Sequence, residues 1–162
     1  MLKELGVIMS LNMDEKISVR NLCEWTVSFK RLDVVGDVLI NANTTIRLPR
    51  GEVFSQVQSG NNLFSGTDGV GSHARIYIED KDTRVELDFE DADGKKTQLV
   101  VDDNKIKELF AIKTKSAFEK AVKEAIITNA EKAKLANGVK KFKLNEYDKI
   151  QFIQKYTGMF IN

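Results

Sequence analysis

The fold class follows from the alternation of apolar and polar residues in Cys23-Glu24-Trp25-Thr26-Val27-Ser28-Phe29-Lys30. A period of two places Cys23, Trp25, Val27 and Phe29 on one face, which predicts a half-buried strand with these residues in the core. The same period returns over residues 37–48, either as one long strand or as two strands separated by polar residues 41–45. Pro49 is expected to end this stretch, because proline lacks the N–H that a central strand donates.

Further short segments downstream extend the strand pattern. Residues 51–58 predict a short helix, and residues 74–78 and 85–89 alternate again, with a hairpin turn expected at 79–82. A second turn at 91–94 is expected to lead into a strand over 98–101. Four to six antiparallel strands joined by short turns predict a small barrel or sandwich.

The hydrophobic period becomes helical after Val101. Asp102 or Asp103 can cap a first helix, in which Ile106, Leu109 and Phe110 share a face. Ser116 and Glu119 match a capping box, predicting a helix that runs to Asn137-Gly138. Asn145 is expected to cap a last helix that ends at Gly158. The sequence therefore predicts an α+β fold: an N-terminal arm (1–22), a β-rich core (23–101) and a helical part (102–162) packed on the same domain.

Composition limits the classes of function. With 162 residues, 42% hydrophobic and 30% charged, the chain can bury one core without a metal or disulfide. No apolar run reaches the ~20 residues of a membrane span, so no membrane partner is expected. Cys23 is the only cysteine, which excludes an internal disulfide and suggests a reducing compartment. Residues 104–162 carry 13 lysines and 6 acidic residues, and the preceding 103 residues have a net charge of −6.

Three candidate chemical sites fail their own requirements. The glycine-rich loop 66–72 lacks the lysine of a phosphate-binding loop, because Gly71 is followed by Ser72 and His73. A catalytic thiol site would need Cys23 beside His73, the only histidine. Cys23 lies on the predicted core face, where a thiol is unreactive. The acidic residues between Glu79 and Asp93 do not follow the calcium-loop spacing. We therefore expect no enzymatic activity, no cofactor and no metal site.

Lysines of the helical part support an alternative function in nucleic-acid binding. Lys132, Lys140 and Lys141 surround the predicted turn at Asn137-Gly138 and could contact phosphates. The patch contains no arginine, the usual reader of guanine, so any such contact should be nonspecific.

Several stretches together resemble a known class of protein. They are Trp25 to Arg31, the run from Gln56 through Gly60-Asn61 and Gly66-Thr67-Asp68-Gly69 to Gly71-Ser72-His73-Ala74-Arg75, and Lys149 to Thr157-Gly158. They resemble uncharacterised virion-associated proteins of large tailed bacteriophages of Gram-positive hosts. The resemblance implies a structural role, as a capsid-associated or head–tail component present in many copies. It implies a location in the virion, or in the host cytoplasm during assembly.

The sequence thus predicts an assembly protein whose partners are other virion proteins or copies of itself. The contact is expected on residues 1–16 of the apolar N-terminal arm together with the loop at 60–72, since an unpaired apolar segment gains free energy by burial. The alternative is that the arm packs on the core of its own domain. The predicted contact residues are Leu5, Val7, Ile8 and Leu11 in the arm, and Phe64, Gly69, Val70 and Gly71 in the loop.

Overall fold

The chain divides into two compact units, the first ending at Leu99 and the second beginning at Val100. A computed structural model describes residues 11–162. In that range the first unit contains five strands and three short helices, and the second contains four helices. The predicted α+β class, with most helices C-terminal, is confirmed. The packing of both parts as one domain stays a prediction.

Two antiparallel sheets form the first unit. The strands are β1 (Lys16–Asn21), β2 (Val27–Lys30), β3 (Asp37–Ile40), β4 (Thr45–Pro49) and β5 (Ile76–Ile78). One sheet has the order β4-β1-β5, and the other pairs β2 with β3 as a hairpin. No closed barrel forms among the described strands.

Strand β1 is the central strand of the first sheet, although the sequence assigned residues 1–22 to an arm. Val19 lies opposite Ile46 of β4 and opposite Ile78 of β5. Ile17 and Val19 are buried in the core. Two apolar residues among six give too short an alternation to stand out, so the arm prediction is wrong from residue 16 onward.

The predicted strand 23–30 is shorter than expected, because Asn21 turns the chain at the end of β1. The buried Asn21 amide donates to Trp25 O at 2.7 Å and to Ile40 O at 3.0 Å, and its oxygen accepts from Cys23 N–H at 2.8 Å. Only residues 27–30 then pair as a strand. Cys23 is buried as predicted, but Trp25 is 42% exposed, so its placement in the core was wrong.

The stretch 37–48 forms two strands, the second of the two predicted arrangements. Strands β3 and β4 belong to different sheets, and a turn closed by Thr44 N–H on Asn41 O separates them. Asn43 adopts a left-handed conformation there (φ 58°), which asparagine tolerates better than most residues. Pro49 is the last residue of β4, as expected.

Short helices occupy the rest of the first unit, and one of them replaces a predicted strand. They are α1 (Arg50–Gln58), α2 (Asn62–Ser65) and α3 (Lys81–Glu86). Helix α3 lies where a turn at 79–82 and a strand at 85–89 were predicted, because Asp80 accepts from Thr83 N–H at 3.0 Å and caps a helix. Residues 98–101 form no strand either. The turn at 91–94 is present, with Gly94 N–H donating to Asp91 O.

The second unit consists of α4 (Asp103–Phe110), α5 (Lys115–Ala125), α6 (Asn129–Lys141) and α7 (Tyr147–Thr157). Its core includes Ile106, Leu109, Phe118, Val122, Leu135 and Ile153. Asp102 caps α4 and Gly158 ends α7 in the left-handed conformation, both as predicted. The cap of α7 is Glu146 and not the predicted Asn145.

The long helix predicted from Ser116 to Asn137-Gly138 is divided differently. Ser116 lies inside α5, and the capping box is formed by Thr128 and Glu131 at the start of α6. Helix α6 then continues through Gly138, where the absence of a side chain is needed for packing. A Cβ at Gly138 would lie 2.7 Å from Ile106 Cγ2 of α4. The glycine thus permits close helix contact, and the predicted turn was wrong.

Candidate assembly surface

Exposed apolar side chains concentrate on the hairpin of β2 and β3. Five of the eight large apolar residues that are exposed in the described part of the chain lie between residues 25 and 40. They are Trp25 (42% exposed), Leu32 (52%), Val34 (53%), Val35 (104%) and Leu39 (65%). Residues 31–36, the loop between the two strands, are called the hairpin tip below. Large apolar residues at such exposure usually mark a contact surface when they cluster.

The buried carboxylate of Glu52 holds the hairpin tip through hydrogen bonds from its backbone. Glu52 belongs to α1 and is 1% exposed. Its two oxygens accept from Leu32 N–H at 2.7 Å and from Asp33 N–H at 3.1 Å. Gln56, one helical turn later, donates to Glu52 at 3.1 Å and to Lys30 O at 2.7 Å. Hydrogen bonds to a carboxylate are stronger than those to a neutral acceptor, so these contacts restrain the hairpin tip against helix α1.

A salt bridge within the hairpin tip stiffens it further. The Arg31 guanidinium donates through Nε and Nη2 to the two oxygens of Asp33, at 2.9 and 2.7 Å. This hydrogen-bonded cation holds the pKa of the Asp33 carboxyl below its ordinary value. Arg31 N–H also donates to Gly36 O at 2.9 Å, closing the loop, and Gly36 has a φ of +138°. That backbone conformation favours glycine.

Charges around the exposed apolar residues cancel. Lys30 lies directly opposite Asp37 at the end of the strand ladder. Together with the Arg31–Asp33 pair, they give the surface two cations and two anions. These four side chains add no net charge to the surface, whereas the carboxylate of Glu52 lies buried beneath it.

The predicted arm residues fall in two classes. Leu5, Val7 and Ile8 lie outside the described residues, and Leu11 is half-buried. The chain just after Leu11 belongs to the fold, because the buried Arg50 guanidinium donates to Asn12 O at 2.7 Å.

The structure contradicts part of the predicted loop contact. Phe64 is fully buried and packs edge-on against Phe29, with ring centroids 5.2 Å apart. It is therefore a core residue and was wrongly placed on a contact surface. Gly71 is also buried, Val70 is half-buried and Gly69 is exposed.

The loop 66–72 is held by its own hydrogen bonds. The Asp68 carboxylate accepts from Val70 N–H at 2.9 Å and from Ser72 N–H at 3.1 Å. Partial burial alone would raise the pKa of Asp68, but these hydrogen bonds outweigh it and lower the pKa. A Cβ on Gly66 would lie 2.0 Å from Ser72 O, so the loop closes too tightly for any other residue there.

The predicted phosphate-contacting lysines do not surround a turn, because α6 continues through residues 137 and 138. Lys140 is exposed, and Lys132 is half-buried with Nζ 5.3 Å from the centre of the Tyr156 ring. Lys141 forms a 2.7 Å salt bridge with Asp103. Partial burial alone would raise the pKa of Asp103, but Lys141 and the buried Lys134 lower it.

Acidic residues of the Glu79–Asp93 stretch form specific ion pairs. Glu79 pairs with Arg20, and Glu90 pairs with the buried Arg84. Asp80 caps α3 and accepts from Arg50. Within residues 11–162 no three His, Cys, Asp or Glu side chains are grouped to hold a metal ion. No helix in the described part of the chain has the length and apolarity to span a membrane.

The sequence did contain a signal for the hairpin tip. Leu32, Val34 and Val35 follow a predicted strand and precede a glycine, where a loop of polar residues is the usual pattern. Leu39 lies between the apolar Val38 and Ile40, so this short stretch is apolar on both faces of its strand.

Neither a family model, nor a curated protein, nor a solved structure matches this chain. The function proposed below therefore rests on the burial, contacts and charges of the chain itself, together with the resemblance described above.

Proposed function

We propose that this protein is a non-enzymatic structural protein that assembles through protein–protein contacts, with the hairpin of β2 and β3 as the contact. One observation carries the proposal: Val34, Val35 and Leu39 are exposed on a loop and strand that a buried carboxylate holds in place. Burying such a side chain stabilises a complex by roughly 1.5–3 kcal/mol.

Rigidity favours a binding role for this surface. Association has to offset the conformational entropy that a mobile loop loses when it is ordered. The hairpin tip is already ordered by Glu52, Gln56 and the Arg31–Asp33 pair. Its apolar residues can therefore be buried at low entropic cost.

The partner we propose for this surface is a second copy of the chain. Two copies related by a twofold axis present the same patch to each other, so the patch must be self-complementary. The balanced charges of Lys30, Arg31, Asp33 and Asp37 meet this condition, since a cation of one copy can face an anion of the other. A two-stranded hairpin is also only marginally stable alone, so packing against another surface stabilises it.

The biological setting we propose is the virion of a tailed bacteriophage. The resemblance of residues 25–31, 56–75 and 149–158 to virion-associated proteins supports it. Other virion proteins are the alternative partners, and nucleic acid is the alternative ligand.

Sedimentation velocity of the full chain tests the contact. The variant Val34→Ser/Val35→Ser/Leu39→Ser removes apolar surface from the hairpin, and we expect the oligomer of the wild type to dissociate into monomers. The matched control is Ile127→Ser/Phe160→Ser, which changes exposed apolar residues of the second unit and should leave the oligomer intact. A wild type that stays monomeric up to its solubility limit contradicts self-assembly, as does an unchanged oligomer in the hairpin variant.

Deleting residues 1–10 separates the hairpin from the predicted arm. The cut falls before Leu11 because Asn12 and Glu15 hold Arg50 in the fold. If the hairpin is the contact, the truncated chain associates as the full chain does. Loss of the oligomer with an unchanged circular dichroism spectrum would place the contact in residues 1–10.

A further inference from the structure

Helices α5 and α7 line an open groove of about 680 Å³ within the second unit. Its lining combines lysines with aromatic rings, unlike the aliphatic residues exposed on the hairpin tip. We infer that this groove binds single-stranded nucleic acid, with phosphates on its lysines and a base on an exposed ring. The inference goes beyond the proposed assembly role and does not depend on it.

The Phe152 and Tyr156 rings line the groove, and the buried Phe118 packs against Phe152 behind them. Phe152 stacks on Tyr156 with centroids 5.7 Å apart and meets Phe118 edge-on at 6.0 Å. The Tyr156 hydroxyl donates to Ile126 O at 2.6 Å. These contacts join α5 to α7 and give the groove a shape that exists before any ligand binds.

Cations line both walls. Lys115 and Lys123 of α5 and Lys155 of α7 border the groove, and all three are exposed. Lys123 Nζ lies 5.9 Å from the centre of the Phe152 ring, so it is held over that ring. Lysines placed along an open groove can contact successive phosphates of a flexible strand.

Tyr147 provides a ring on which a base can stack. It is 72% exposed at the start of α7, on the rim of the groove. Aromatic rings beside a cationic groove bind unpaired bases with little sequence preference. From Tyr147 to Tyr156 the helix rises about 14 Å, at ~1.5 Å per residue. That length corresponds to roughly four stacked nucleotides at ~3.4 Å each.

Two carboxylates also line the groove, and they oppose a polyanion. Glu119 and Asp148 border it, so the excess among its charged side chains is one positive charge. Their effect gives the proposal a second readout, opposite in sign to that of the lysines. Replacing them by amides should tighten nucleic-acid binding, because two negative charges beside the phosphates are removed.

The test uses fluorescence anisotropy of a labelled oligo(dT) of about 12 nucleotides, within the ~4–16 nucleotides that such grooves cover. The full-length protein should bind it at low salt. Lys115→Gln/Lys123→Gln/Lys155→Gln should weaken binding about ten-fold or more. It should also reduce the slope of log affinity against log salt by about two, at ~0.7 per phosphate contact.

A matched control removes the same charge elsewhere in the unit. Lys107→Gln/Lys113→Gln/Lys143→Gln changes three exposed lysines that do not line this groove and are not among the predicted phosphate contacts. It should weaken binding less than about three-fold, because only the distant field changes. Glu119→Gln/Asp148→Asn should tighten binding several-fold.

Substitutions at Tyr147 separate stacking from charge. Tyr147→Ser should weaken oligo(dT) binding about ten-fold, and Tyr147→Phe should keep it, since a phenyl ring stacks equally well. Equal losses in both lysine variants, or no binding by the wild type, would overturn the inference. A mononucleotide that binds as tightly as the oligonucleotide would also overturn it, because the site would then recognise a free nucleotide.

Discussion

At the scale of single residues, buried polar side chains hold backbone segments that lie outside the regular elements. Asn21 bonds the loop after β1, Glu52 bonds the hairpin tip, and Arg50 bonds the segment before β1. A buried polar group without a hydrogen-bond partner destabilises the fold. Each of these side chains therefore depends on the backbone groups that the folded chain places around it. None of them carries a sequence motif, and their partners lie up to 38 residues away.

The two helix glycines should respond in opposite ways to alanine. At Gly138 a Cβ would overlap Ile106, so Gly138→Ala should lower the free energy of unfolding by about 1–2 kcal/mol. At Gly51 the nearest atoms lie at 3.4 Å, an ordinary contact, and Gly51→Ala should raise it by about 0.5–1 kcal/mol. Urea denaturation measures both. Equal effects of the two substitutions would show that α4 and α6 are not in close contact at Gly138.

Asp80 should make the stability of the first unit depend on pH. Partial burial alone would raise the pKa of Asp80, but hydrogen bonds from Thr83 and Arg50 lower it. Because the pKa is lower in the folded state, the stabilisation is complete above the unfolded pKa of about 4 and is lost as the pH falls through the folded value.

Comparison of the wild type with Asp80→Asn isolates this effect. At pH 7 the variant should be less stable by about 1–2 kcal/mol, since its amide cannot replace a charged acceptor. The difference in unfolding free energy should narrow as the pH is lowered below 4. Asp82→Asn, at an exposed position of the same helix, is the control and should change stability by less than about 0.5 kcal/mol. A difference that stays constant from pH 7 to pH 3 would contradict the assignment.

At the scale of elements, local signals were sufficient where a helix end depends on neighbouring residues. Asp102 and Gly158 were predicted correctly because a cap involves residues within one turn. Strand β1 and helix α3 were missed because their six-residue segments contain few apolar positions. The hairpin tip was missed as a site because its order comes from Glu52, about 20 residues away in sequence.

The two capping signals of the helical unit can be compared directly. Thr128 accepts from Glu131 N–H at 3.1 Å, and Glu131 accepts from Thr128 N–H at 3.0 Å. Thr128→Ala should therefore destabilise the unit by about 1 kcal/mol. Ser116→Ala, at the site of the predicted capping box, should be neutral or slightly stabilising because alanine favours helix interiors. Thermal unfolding followed at 222 nm measures both, and an equal loss in Ser116→Ala would restore the original prediction.

At the scale of the whole molecule, the boundary between the two units follows an exposed polar segment. Residues 91–97 are all exposed and contain Lys95 and Lys96. Proteases cut such segments before they cut packed helices and strands. Limited digestion with trypsin should therefore cleave first after Lys95 or Lys96, as mass spectrometry of the fragments would show. First cleavage within α5, α6 or α7 would mean that the helical unit opens more easily than the boundary.

The central position of β1 also has a consequence for how the protein is made. Val19 leaves the ribosome 27 residues before its partner Ile46 and 59 residues before its other partner, Ile78. At about 5–20 residues per second, translation takes roughly 3–12 s to cover the longer interval. Throughout that time the nascent strand has at least one unpaired edge, and both edges are unpaired until β4 has been made. Newly synthesised chains on neighbouring ribosomes are therefore the population in which mispairing of this protein should begin.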